Sequence, residues 1–204
     1  MGHQIQDKGR LIHCARTLRA AGCDLIAQVG SPFAWACALS EKEARDRCDA
    51  IADAAGIPAL MMGLAIVDGL RALCARRVAV ACTYYEADWR DGFANFIRLC
   101  GFETIHVATL ADQRLIPASA TMEDYGWSMT PELTRKSVGF AADAAPDAEA
   151  IVVTGAGTRT IELLVELEAN TGRPIVAADT VLYWAIAREL GLSLRPILGA
   201  LSKT

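Results

Sequence analysis

Three short stretches carry residues suited to chemistry on a small anion: "VGSPFAW" (29–35), "CTYYEAD" (82–88) and "TGAGTRT" (154–160). In the third, Gly155 and Gly157 let the backbone approach a ligand closely, and Thr154, Thr158 and Thr160 add hydroxyls. Arg159 adds a charge, and the amide of Ala156 lies between the two glycines. A helix over 158–171 would aim its first amides and its dipole at a carboxylate or phosphate. The competing reading is that the glycines only permit a tight strand-to-helix turn. The stretch is neither a Walker loop, lacking G-K-[ST], nor a G-x-G-x-x-G turn. No side chain in it attacks, protonates or deprotonates anything. "VGSPFAW" offers the Gly30 and Ser31 amides and the Ser31 hydroxyl, whereas Pro32 removes one donor. "CTYYEAD" places Thr83, Tyr84 and Tyr85 at a strand end. A tyrosine hydroxyl there donates to an oxyanion, unless the ring packs and only the tip stays wet. Glu86 and Asp88 open a helix, where carboxylates are favoured in any case.

The elements that must position these loops follow from apolar patterning. Short apolar runs at 24–29, 77–82, 150–154 and 174–177 alternate with helical segments, as does "ETIHVATL" at 103–110. "GRLIHCARTLRAAG" is helical, with Leu11, Ala15 and Leu18 on one face. "SEKEARDRCDAIADAAG" has a Ser40 cap, Glu43 for a capping box and Gly56 as its stop. "EADWRDGFANFIRLCG" places Trp89, Phe93, Phe96 and Cys100 on one face. Thr130 and Pro131 open another helix, and residues 111–130 are a loop with room for one short helix. Alternation of this kind means βαβ units and an α/β fold with parallel sheets. Ligands then bind at the carboxyl ends of the strands, where all three stretches lie. The first and third are alike, which suggests two related halves.

Composition narrows the function classes. Of the 204 residues 53 % are hydrophobic, enough for a sizeable core, and the net charge of −4 argues against a general nucleic-acid binder. No segment reaches the length of a membrane span and the N-terminus lacks the apolar core of a signal peptide, so the expected location is cytoplasmic. The seven cysteines contain no C-x-x-C pair and read mostly as core thiols, and the three histidines are scattered, so no metal site is expected.

"ALMMGLAIVDGLRALCARRVAVACTYYEADWRDGFANFIRLCGFE", "PDAEAIVVTGAGTRTIELLVELEANTGRPIVAADTVLYWA" and "DLIAQVGSPFAW" resemble the arylmalonate decarboxylases and maleate cis-trans isomerases of the aspartate/glutamate racemase superfamily. The resemblance covers about residues 10–192 and rests on three loops whose spacing agrees. It implies two similar flavodoxin-like halves related by a pseudo-twofold axis, with the site between them. The expected division is 1–75, completed by 179–204, and 76–178. Family members begin with a strand whose loop helps line the site, so an N-terminal strand is expected to be missing here. The resemblance also implies a cofactor-independent enzyme acting on a small carboxylic or dicarboxylic acid through an enediolate-like intermediate. Its partners would be that substrate alone, with no nucleic acid or membrane and a homo-oligomer left open.

Carried over by residue, the two cysteine positions of the racemases fall on Gly30 and Gly155. The pocket hydroxyl falls on Ser31, the next on Pro32, and the pocket tyrosine on Tyr84. The amides after the second cysteine fall on Ala156 and Gly157, and Arg159 with Thr160 resembles an Arg-Thr pair of isomerase-like members. Gly30 matches the decarboxylases, but Gly155 removes the thiol they retain as proton donor. The family mechanism therefore does not carry over unchanged. Replacement proton carriers are Cys37, Cys82, Tyr84 and Tyr85. Decarboxylation is the first choice over isomerisation or racemisation. The alternatives are a carboxylate-binding protein that has lost catalysis and a phosphate or nucleotide binder of flavodoxin-like shape.

Overall fold

The computed structural model describes residues 7–83, 85–125, 129–194 and 196–204. Asp7 accepts the Arg10 amide at 3.0 Å and opens α1 (Lys8–Ala20). Strand β1 (Ile26–Gln28) leads into the short α2 (Pro32–Trp35). Helix α3 (Glu41–Ala55) is capped by the Ser40 hydroxyl, which accepts the Glu43 amide at 3.2 Å. The Glu43 carboxylate reaches back past the cap to the Leu39 amide at 3.0 Å, a one-residue extension of the expected capping box. Then come β2 (Ala59–Met61), α4 (Met62–Ala72), β3 (Arg77–Cys82), α5 (Ala87–Leu99) and β4 (Glu103–Thr109). Among its described residues, the segment expected as a loop holds one short helix, α6 (Met122–Tyr125). Helix α7 (Pro131–Ala144) starts under a Thr130 cap, whose hydroxyl accepts the Leu133 amide at 3.1 Å. The chain closes with β5 (Ala150–Val153), α8 (Leu164–Thr171), β6 (Ile175–Ala177), α9 (Ala178–Glu189) and a 3-10 segment over Pro196–Lys203.

The strands form two parallel sheets. One pairs β1 with β2, Ile26 opposite Ala59. The other has the order β4-β3-β5-β6, with Val78 opposite Ala150 and Ile151 opposite Ile175. The inner strands β3 and β5 are buried on both faces, as apolar parallel strands require. Helices α4 and α9 pack on each other beside β2, so the C-terminal helix lies with the first sheet as well as the second. Parallel pairing puts the carboxyl ends of β3, β5 and β6 along one edge of the larger sheet. This edge positions two of the three loops.

Three expectations need correction. The helix after "TGAGTRT" begins at Leu164, not at 158. Side-chain hydrogen bonds of Thr158 and Thr160 hold 154–163 in successive turns, a known competition between short hydroxylated residues and helix. No helix N-terminus or dipole therefore points from Thr158, and the loop binds by its own conformation or not at all. On α1, Ala15 is buried but Leu18 is exposed, because the helix packs chiefly on α3. Of the cysteines, only Cys48, Cys82 and Cys100 are buried. Among the described residues no helix is long and apolar enough to cross a membrane, and no cluster of metal-ligating side chains occurs.

Candidate active site

The three chemistry-bearing loops are tied together by side-chain hydrogen bonds. Ser31, after β1, shares a hydrogen bond with the hydroxyl of Tyr85, after β3, and both residues are buried. Thr83, at the end of β3, donates to the Thr154 carbonyl at the end of β5. Its hydroxyl lies 2.7 Å from that of Thr158. Thr160 continues the sequence of ties toward the end of β6. Its amide donates to Asp179 Oδ2 at 2.9 Å, and its hydroxyl to Oδ1. Loops following β1, β3, β5 and β6 thus form one connected wall rich in hydroxyls.

The two glycines of this wall have left-handed backbones, φ 100° at Gly30 and 89° at Gly155. Only glycine adopts such values without strain. Gly155 is buried and Gly30 half-buried, while Ala156, Gly157 and Arg159 are exposed. The glycine loop therefore turns its backbone and its arginine outward past a buried hinge. Tyr84, the expected pocket tyrosine, lies outside the described residues.

The candidate proton carriers are placed differently from one another. Cys82 is fully buried in β3, and burial pushes its thiol well above the usual range, against a smaller opposing effect of Thr154. Cys82 is therefore enclosed within its strand rather than presented at a loop surface. Cys37 is exposed on the turn after α2, at φ 57°. Tyr85 is held neutral: burial raises its phenol, opposed by the Ser31 hydrogen bond. Asp179, which the sequence reading missed, is raised by burial against the hydrogen bonds from Thr160 and from the backbone of Thr180 and Asp179 itself. The signal for it was present. Asp179 follows the apolar strand "PIVAA" as directly as the other loops follow theirs, but that fourth strand end was not considered.

The arrangement gathers glycine turns and neutral hydroxyls with little buried charge, a chemistry suited to a small anion. The model of the arylmalonate decarboxylase family matches residues 4–199. The chain belongs to this family. Arylmalonate decarboxylase of Bordetella bronchiseptica is 26 % identical over 184 residues, covering 87 % of this chain and 69 % of that one. A crystal structure of arylmalonate decarboxylase superposes with a TM-score of 0.84 at 24 % identity, over 96 % of this chain and 82 % of the other. Maleate isomerase from Pseudomonas putida superposes at 0.81 with 22 % identity, covering 98 % and 79 %. The maleate cis-trans isomerase of Nocardia farcinica, solved as a mutant with a covalently bound succinylcysteine intermediate, superposes at 0.78 with 20 % identity, covering 94 % and 76 %. The α/β fold with parallel sheets is thus the fold of the family, as the patterning and the resemblance both required.

Proposed function

We propose that this family member is a cofactor-independent enzyme that acts on a small carboxylic or dicarboxylic acid through an enediolate-like intermediate, with decarboxylation as its first reaction. The observation that carries the reading is the connected hydroxyl wall from Ser31 through Thr83 to Thr160, built on glycine turns at positions 30 and 155. Breaking the bond between the α-carbon and a carboxylate releases carbon dioxide and leaves its electron pair on the remaining carboxylate as an enediolate. A proton then adds to the α-carbon. Preorganised neutral donors stabilise the charge that develops on the enediolate oxygens. In this reading Ser31 and the amides of Ala156 and Gly157 are the donors, Tyr84 adds a hydroxyl, and Arg159 attracts the substrate. The glycine at position 30 favours decarboxylation over racemisation, which needs a thiol on each face. The halves 1–75 with 179–204 and 76–178 would then close on the substrate from two sides. A soluble cytoplasmic location fits a small-acid substrate.

The test is proton NMR in D2O with substituted malonates, maleate, aspartate and glutamate in turn. Loss of a carboxylate with deuterium entering the α-position is the expected result. Isomerisation of maleate or exchange at the α-carbon of an amino acid would keep the enzyme and replace the reaction. Silence across the panel from folded protein would refute the enzymatic reading.

A further inference from the structure

The enediolate left by decarboxylation needs a proton, and glycine stands at both positions where the racemases carry thiols. The end of β6 holds a group of the right kind. Strands β5 and β6 pair in parallel as far as Val153 opposite Ala177. Two residues further along each chain lie Gly155 and Asp179, and neighbouring strands stand about 4.8 Å apart. The glycine loop then folds back onto the Asp179 carboxyl. The Thr160 amide donates to Oδ2 at 2.9 Å, and the Thr160 hydroxyl bonds Oδ1. Thr160, Ala178 and Thr180 are enclosed, whereas Asp179 is only half-buried. The charged neighbours on the loop, Arg159 and Glu162, are both exposed.

Two opposed influences act on Asp179. Among the described residues no lysine, arginine or histidine stands within ion-pair distance of it. A carboxylate withdrawn from water without a counter-ion is costly, so its surroundings favour the neutral acid. Thr160 and the start of α9 act the other way, because donors aimed at the carboxyl favour its anion. Burial is the larger effect, and the carboxyl is raised above its ordinary range. The group is therefore able to hold a proton and, once it has lost it, to rest as an anion on donors already in place. A proton carrier that returns to its starting form in each turnover needs both states. Burial instead pushes the Cys82 thiol and the Tyr85 phenol upward, away from neutrality.

We propose that Asp179 is the catalytic acid of this chain, delivering its carboxyl proton to the α-carbon of the substrate in place of the thiol that Gly155 removes. The inference rests on the decarboxylase reading and supplies the proton donor which that reading leaves unassigned. The bond from the α-carbon to the departing carboxylate breaks, and its electron pair stays on the remaining carboxylate as an enediolate. The O–H bond of Asp179 then breaks as the new C–H bond forms. The product leaves as a monocarboxylate, and Asp179, left as an anion against Thr160, regains a proton from water. The test uses methylphenylmalonate, whose product α-phenylpropionate carries a new stereocentre. An acid fixed on one face gives one enantiomer in excess. Asp179→Asn keeps the size of the side chain and removes the acid. It should bind phenylmalonate as wild type does, form product about 100-fold more slowly, and yield a racemate by protonation from water. Thr160→Val keeps the carboxyl but removes the hydroxyl on Oδ1, and should lower both rate and enantiomeric excess by a smaller factor. It also serves where the asparagine variant does not fold. An asparagine variant with the wild-type rate, or a slow one that still gives the wild-type enantiomer in full excess, would overturn the assignment and leave the decarboxylase reading intact. Wild-type behaviour of Thr160→Val would do the same. Wild-type protein that releases no carbon dioxide from either malonate would remove that reading, and the catalytic acid with it.

Discussion

Placing a thiol at position 155 tests the assignment of the glycine loop. Gly155 is buried and sits at φ 89°, and the strand before it is fully enclosed. An L-residue in that region of the backbone costs about 1–3 kcal/mol. The added Cβ and sulfur in a close-packed place cost about 1–3 kcal/mol more. Gly155→Cys should therefore lower stability by about 2–6 kcal/mol. For a chain of this size that corresponds to a fall in Tm of roughly 4–24 °C. Gly155→Ala is the control, because it carries the backbone strain without the thiol. Thermal unfolding by circular dichroism gives the stability arm, and deuterium incorporation at the α-carbon of phenylmalonate-derived product gives the chemical arm. The alanine variant should lose stability and gain nothing. The cysteine variant should lose at least as much and gain proton transfer. An unshifted Tm would show that the loop does not need glycine at 155. A folded cysteine variant that transfers protons no better than the alanine variant would refute the assignment of position 155 to the family thiol. The single substitution is preferred to a pair with Gly30→Cys. At φ 100°, with Phe33 Cδ2 only 3.2 Å from a new Cβ, the first position adds strain without adding information.

Other outcomes follow from the same geometry. Asp179 keeps its proton more readily in the fold than in the unfolded chain, so its contribution is fully present below the ordinary carboxylate range and lost as pH rises through its elevated value. Urea unfolding of Asp179→Asn should accordingly gain on wild type as pH is raised from 4 toward neutrality; a constant difference would show that the carboxyl is not perturbed. Thr83→Val leaves the Thr154 carbonyl and Thr158 hydroxyl buried with fewer partners, a loss of about 1–3 kcal/mol readable by denaturant titration. A neutral outcome would mean that Thr83 does not tie β3 to β5. Glu41 is held down to about 2, chiefly by its hydrogen bonds to Arg71, with burial opposing and Arg45 assisting. Its stabilisation is present above the ordinary carboxylate range and lost as pH falls toward 2. The shift alone corresponds to at most about 3 kcal/mol, and solvent screening of this partly exposed cluster reduces it to about 1. The gap between Glu41→Gln and wild type should close on acidification, and a gap independent of pH would count against the ion-pair origin.

Much was legible in the chain itself. Continuous apolar runs marked five of the six strands found among the described residues, and their alternation with helices dictated parallel pairing before any contact was known. Ser40, Gly56 and Thr130 marked helix ends because caps act through neighbours in sequence. The strand-end rule picked out Gly30, Ser31, Thr83 and Gly155 because parallel topology brings strand ends together whatever the side chains. Tertiary structure alone decided the rest. Where the helix after Gly157 begins depends on Thr158 meeting Thr83 and Thr160 meeting Asp179, partners 75 and 19 residues away. Whether a tyrosine is a wet rim or a buried link depends on what covers it, and Tyr85 is covered by Trp35, Trp89 and Phe93. Cys82 looked available beside a loop until its strand was enclosed on both faces. Local patterning determines which segments are strands and helices, because backbone conformation answers to near neighbours. Protonation, exposure and hydrogen-bond partnership answer to whatever the fold places alongside, and no stretch of sequence contains that information about itself.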